Sequence, residues 1–446
     1  MAQNSLTEGP IKKLIIKLAL PAMIGFFFNT MYNVVDTYYG GQLSTEALAA
    51  LSLSFPVFFL IIAIGSGVGS GTTALIGHAI GAGDKELARR YADQALTFVF
   101  TLSVFLMFAA LKISPWLFEL IGATGEYLSL ALSYTNVIFY GTIFFMFVFF
   151  ANAVLNASGD TKTYSKFLIF GFFLNLLLDP WFMYGWFGMP ALGLSGVAWA
   201  TVLIQVIGTI YLMYKVVKAG LLNKYFYKNL KPDWKIWRQL AGQGFPASLS
   251  MMTVAIGIFI ITYYISSFGK SAVAAYGIAT RIEQVFLIPT IGINIAVLTL
   301  IAQNAGAKKY ERVREVLRGA FKYTMQILGV GAVVVFIFAP KMMAFFTTDK
   351  EVVAIGVRYL HIAPFIFLAY GFLFLSDAIL RALKHPLPTL FVGIFRQMVG
   401  PLIVFPIFIY LFKKDILGLW FGIFFITWVA GLFSWTYMKK YLRRLS

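Results

Sequence analysis

The sequence predicts an all-α integral membrane protein: twelve transmembrane helices in two pseudo-symmetric six-helix lobes, parallel repeats around a central cleft. Three observations predict it. Of the 446 residues 60% are hydrophobic and only 12% are charged, with a mean hydropathy of +0.82, whereas soluble domains carry about 25% charged residues. The apolar runs are long and continuous rather than the roughly ten-residue alternating segments of an outer-membrane barrel, so helices are the spanning element. Many landmarks also recur at one constant shift along the chain.

Windows of about twenty apolar residues place spans near 14–39, 48–77, 93–113, 128–156, 164–185, 192–217, 240–266, 272–302, 319–340, 354–382, 388–411 and 416–438. The first is too long for the apolar region of a cleavable signal and reads as a retained helix. It carries Pro21, which removes a backbone hydrogen bond and permits a bend; a simple helix-start proline is the alternative. The second holds the run Gly65 to Gly71, GSGVGSG, which has no strand before it and suits close helix packing through small residues better than a nucleotide loop. The fourth starts with Tyr134 early in its course, and the fifth holds Asn175 and Asp179. The seventh to twelfth repeat the first six, and several spans exceed twenty residues, so they tilt, kink or project beyond the bilayer.

Charge sets the orientation. The N-terminus, the even-numbered loops and the C-terminus hold 27 of the 36 Lys and Arg, against six in the odd-numbered loops, which puts both termini in the cytoplasm. The net charge of +18 is thereby a property of cytoplasmic loops and calls for no nucleic-acid partner. Arg281, Arg358 and Arg396 remain within spans, with the acids Asp36, Asp179, Glu283 and Asp377.

Pro21 to Arg90 aligns without a gap onto Pro246 to Glu315 at a shift of 225 residues, with fifteen of seventy pairs identical. The same shift lays Asn152 to Ala157 over Asp377 to Ala382. Six helices are an even number, so both copies enter from one side, as parallel repeats related by an axis along the membrane normal. The expected organisation is an N-lobe over 1–218, a basic cytoplasmic linker over 219–238 and a C-lobe over 239–446. Two such lobes with a cleft are a transporter architecture. At the shift, Asp36 falls on Ile261, Asp179 on Val404, Glu283 on Phe58 and Arg396 on Gly171, so neither lobe shares its charged set with the other.

An ionisable group in hydrocarbon costs about 2.5 to 3.5 kcal/mol on insertion scales and marks an ion or substrate path. Asn29, Tyr32, Asn33 and Asp36 recur at i, i+3, i+4 and i+7, one face of the first helix, and Asn175 and Asp179 stand at i and i+4 on the fifth. The charge-derived topology sets Asp36, Asp179 and Tyr134 at one depth in the outer half of the membrane. Two carboxylates at one depth in a poorly solvated pocket disfavour double ionisation, so the pair can take up and release a proton. A satisfied structural Asp is the alternative, and Asp179 precedes Pro180. In the second repeat, Asp377 and Arg381 at i and i+4 suit an ion pair. Glu283 and Arg396 either pair across the lobe or form a second cation or substrate site.

Other chemistry finds no footing. There is no cysteine; His78, His361 and His385 lack metal-ligand spacing; no nucleophile, base and acid stand together; and Gly269-Lys270-Ser271 lacks the first glycine of a phosphate loop. No enzyme, cofactor or metal is expected. Some of the 78 aromatic residues could line a cleft for large, flat cations.

The opening LALPAMIGFFFNTMYNVVDTYYGGQL, the GAGDKELAR loop, the LNASGDTKT segment and the NLLLDP of the fifth span resemble the multidrug and toxic compound extrusion (MATE) family, over nearly the whole chain. Asp36 and Asp179 look like the proton-coupling acids of its DinF-type prokaryotic branch, with sodium argued for related members. The resemblance implies that Asn29, Tyr32, Tyr134, Asn152, Asn175 and Thr201 share that cavity, and that Glu283 and Asp377 are similar to the cation-binding C-lobe acids of the NorM-type branch. It implies a multi-pass antiporter of the prokaryotic inner membrane, a monomer in the lipid bilayer, exchanging small organic cations and drugs for protons, or for sodium. A lipid or oligosaccharide flippase of the same superfamily is the alternative.

Overall fold

The computed structural model describes residues 6–120, 122–222, 231–413 and 415–445; residues 223–230 of the expected linker lie outside them. Helices follow in order: α1 Ile11–Leu43, α2 Thr45–Gly81, α3 Lys85–Leu120, α4 Gly125–Tyr140, α5 Thr142–Ala157, α6 Lys162–Tyr184, α7 Leu194–Lys218, α8 Trp234–Ser266, α9 Lys270–Gly306, α10 Tyr310–Phe346, α11 Lys350–Leu360, α12 Ala363–Ala382, α13 Leu387–Ile394, α14 Gly400–Leu411 and α15 Ile416–Arg443. A 3-10 turn, Trp186–Gly188, follows α6, and one turn of π-helix, Phe395–Val399, joins α13 to α14. No strand occurs among the described residues. Eleven helical stretches are long and apolar enough to cross a membrane, and the bent pair α4 and α5 makes twelve.

Loop acids explain where helices start. The side chains of Asp84, Asp160, Asp233, Asp349 and Asp415 accept backbone N–H groups of Leu87, Thr163, Ile236, Val352 and Leu417, which satisfies donors that a helix N-terminus leaves open. Asp233 also binds Arg90 at 2.6 Å. These contacts, led by the Ile236 N–H, hold its carboxyl below the usual carboxylate range.

Three expected spans are less regular than hydropathy suggests. The span at 128–156 bends by 48° at Gly141, where an added Cβ would stand 2.5 Å from Val202, so only glycine lets α7 approach. The span at 354–382 is two helices, because the Pro364 ring cannot continue the ladder from α11 and instead starts α12. The span at 388–411 contains the π turn, which precedes Pro401: without an N–H, Pro401 cannot close an ordinary turn onto Gln397, and Gly400 N–H reaches back to Phe395 O.

Packing gathers the chain into two compact units, Ile24–Ser248 and Met1–Met23 with Leu249–Ser446. The chain passes from one unit to the other inside two helices, two residues after Pro21 in α1 and two after Pro246 in α8. The first arm of each repeat therefore packs with the helices of the other repeat. In the first unit the α8 arm lies on α2, where a Cβ at Gly67 would come 2.3 Å from Ser248 N and one at Gly71 would come 2.9 Å from Gly244 N. In the second unit the α1 arm lies on α9, where a Cβ at Gly292 would come 2.6 Å from Ala19 O and 2.5 Å from Met23 Cγ. Gly67 and Gly292, like Met23 and Ser248, are related by the shift of 225, so the same contact is made twice with exchanged arms. The GSGVGSG run is thus a packing surface.

Gly67→Leu should destabilise the protein by about 1–3 kcal/mol or more, the range for forcing side chains into a filled contact. A lowered unfolding midpoint of the purified variant is the readout, and Gly292→Leu should act in the same direction.

Candidate functional site

The unit Ile24–Ser248 brings together side chains from α1, α4, α6 and α7. Asn175 and Asp179 lie one turn apart on α6, and both are fully buried. The Asn175 amide nitrogen donates to Asp36 Oδ1 at 2.9 Å and to Asp179 Oδ1 at 2.8 Å. Both of its N–H groups are thereby used, one on each acid. The shared amide nitrogen brings the carboxyl groups of Asp36 and Asp179 side by side. Asn175 Oδ1 and Asp179 Oδ2 are buried with no hydrogen-bond partner. Among the described residues, neither acid forms an ion pair.

Around this centre, Tyr32 donates its hydroxyl to Thr201 Oγ1 at 3.0 Å, tying α1 to α7. Tyr134 on α4 is buried, 7% exposed, within electrostatic reach of both acids. The remaining amides stand apart. Asn33 turns its amide to Asn29 O on its own helix at 2.8 Å and is exposed, so of these two only helical register links them to the acids. Asn152 lies on α5 with a buried Oδ1 that has no partner. One residue that the sequence reading passed over, Gln205, stands one turn beyond Thr201 on α7 with a buried unpartnered Oε1; its signal was an amide inside the apolar LIQVIG.

The C-terminal candidates separate into distinct groups. Asp377 and Arg381 form a two-pronged pair at 2.6 and 3.1 Å. Glu283 does not pair with Arg396: Glu283 Oε1 accepts from the Tyr359 hydroxyl at 3.0 Å, and Arg396 lies over the Tyr370 ring, 5.0 Å from its centroid. Arg358 leaves the expected span altogether and binds Asp415 at 2.9 Å.

The family model described as MatE matches residues 21–181 and again 246–407. The chain belongs to the MATE family of multidrug efflux transporters. Both matches start at the two prolines of the repeat, 225 residues apart. The transporter is 30% identical over 415 residues to the probable multidrug resistance protein YoeA of Bacillus subtilis (strain 168), covering 91% of this chain and 89% of that protein. It is 28% identical over 398 residues to an FAD transporter of Shewanella oneidensis, covering 88% and 87%. Its fold superposes on a MOP superfamily transporter from Pyrococcus furiosus with a TM-score of 0.91 at 27% identity, over 100% of this chain and 99% of that one.

Asn175→Leu keeps the branched shape of the side chain but removes both bridging donors. Leaving two buried acceptors unmet should cost about 1–3 kcal/mol, seen as a lower unfolding midpoint in lipid nanodiscs. Asn33→Ala, which removes only an exposed bond within one helix, should stay within about 0.5 kcal/mol of the parent.

Proposed function

We propose that this transporter is a secondary active antiporter that exports small organic cations and drugs in exchange for protons taken up at Asp36 and Asp179. The observation that carries this reading is the pair of carboxyl groups bridged by a single amide, one of them fully buried. Two ionised carboxylates in contact repel strongly where the dielectric is low. Asn175 supplies one N–H to each acid and nothing between them, so a proton between the carboxyl groups is the least costly way to join them. A second proton, or its loss, then changes which oxygens Asn175 can hold. The choice of proton over sodium rests on the small donor set: two carboxyl groups share one amide, so a proton on either relieves the repulsion between them.

In the cycle we propose, proton uptake from outside closes the acid pair around Asn175 and draws α1 toward α6. Tyr32, tied to Thr201, moves with that face, and α1 bends at Pro21, where one backbone hydrogen bond is already absent. The altered face loses its anionic charge and releases a bound cation. Proton loss to the cytoplasm restores the charge and the affinity. Asn29, Asn33, Tyr134 and Asn152 line the path in this scheme, Glu283 and Asp377 do not couple, and both termini face the cytoplasm of a prokaryotic cell in which the transporter works as a monomer in the inner membrane.

Asp36→Asn should abolish drug export from cells while expression stays at the parent level. In proteoliposomes its proton-driven uptake should fall at least about a hundredfold, the range for losing an essential proton-transfer group, with Glu283→Gln close to the parent. Parent-level export by Asp36→Asn would sink the proposal, and uptake that requires sodium and ignores the proton gradient would reassign the coupling ion.

A further inference from the structure

The unit of Met1–Met23 with Leu249–Ser446 holds a cavity of about 170 Å³, bounded by α8, α12, α13, the π turn and α15. An apolar cavity of about 150 Å³ is large enough to hold benzene. The walls are mostly apolar, with a few polar groups converging, the usual make-up of a small-ligand site. Three charged side chains reach it: Asp377, Arg381 and Arg396. Asp377 and Arg381 neutralise each other through two hydrogen bonds. Arg396 is left over.

The surroundings of Arg396 hold it in place without a hydrogen bond from its guanidinium to a carboxylate among the described residues. Its guanidinium lies over the face of Tyr370 and makes one long bond, 3.4 Å, to the Tyr370 hydroxyl. Tyr370 is itself fixed by parallel stacking on Phe374, which forms part of the wall. Among the described residues Arg396 has no carboxylate partner, and the carboxyl of Glu283 is engaged by Tyr359. A guanidinium has five N–H donors in a planar fork that matches a carboxylate or phosphate. Next to it, Gln397 brings a buried amide to the same wall, and it fits only because residue 257 is glycine: a Cβ there would stand 2.3 Å from Gln397 Oε1. Both residues sit on the π turn, the kind of helix defect that recurs at functional sites. The repeat adds an independent point, since Arg396 corresponds to Gly171 and has no counterpart in the other copy.

We propose that this cavity binds an oxyanion on a small apolar body, a carboxylate or phosphate group held by Arg396 with the amide of Gln397 beside it and the apolar part against Phe374. A cation would meet a guanidinium that no carboxylate hydrogen-bonds, and a neutral ligand would leave its donors unmatched. The group can come from a soluble ligand or from the headgroup of an anionic lipid. The site is independent of the coupling reading, because it is read as equilibrium binding and needs no transport.

The test is binding of radiolabelled benzoate to the full-length protein in phosphatidylcholine nanodiscs, with benzylamine as the cationic isostere. Saturable benzoate binding is expected, weakened at least about tenfold in Arg396→Gln and less in Arg396→Lys, as for loss of charge-assisted hydrogen bonds. Gln397→Leu keeps every charge and should weaken it about threefold. It also serves as the readout if Arg396→Gln fails to yield monodisperse protein. Displacement of benzoate by phosphatidylglycerol in the nanodiscs would support the site with a lipid headgroup as its occupant. Benzylamine binding as well as benzoate, or benzoate affinity unchanged in Arg396→Gln and Gln397→Leu, would overturn the proposal.

Discussion

An ionised carboxyl group among apolar helices is the costliest side chain this chain carries, several kcal/mol by any scale. Five other aspartates sit where helix N-termini supply backbone donors, and Asp377 has an arginine. Among the described residues, Asp36 and Asp179 share the amide of Asn175 as their one hydrogen-bond donor. In our proposal that scarcity of donors makes the pair depend on a proton, and the shared amide also ties α1 to α6. The Tyr32 bond to Thr201 then places α7. The arrangement of the site follows from finding the fewest donors that make a buried acid pair tolerable.

A second constraint acts through glycine. In a bilayer, helices gain little from hydrophobic burial against one another and rely on close packing. Gly67 and Gly292 let a helix backbone approach where a single methyl would collide with Ser248 N or Ala19 O. Each holds the first arm of the opposite repeat, so α1 and α8 each belong to both compact units. Pro21 and Pro246 lie where these helices pass between units, and a weakened hydrogen-bond ladder at that place gives the bend in our scheme a physical location.

Much of this was legible in the residues themselves. Hydropathy located the twelve crossings, because a helix in lipid must be apolar for its whole length, and the 225-residue shift revealed the repeat. The link from Asp36 to Asn175 and Asp179 could be approached because both helices carry polar residues at helical spacing. The exchange of arms was not legible, since a repeat in sequence says nothing about which copy an arm packs against. The breaks near Pro364 and Pro401 were hidden because a proline can start, bend or interrupt a helix, and neighbours decide which. Asn33 shares the face of Asp36, yet its amide closes onto its own helix. Of the two readings open for Glu283 and Arg396, direct pairing is not made, each meeting a tyrosine instead, and nothing local distinguishes Tyr359 and Tyr370 from the other twenty-one.

The central claim is that the Asp36–Asn175–Asp179 cluster holds an exchangeable proton linked to substrate. The most direct measurement is proton release on adding a cationic drug to purified transporter in weakly buffered detergent solution. Release should saturate near a single proton per chain and be absent when Asp179 is replaced by Asn. Drug binding at parent affinity with no proton released, or undiminished release from the Asp179→Asn variant, would contradict it.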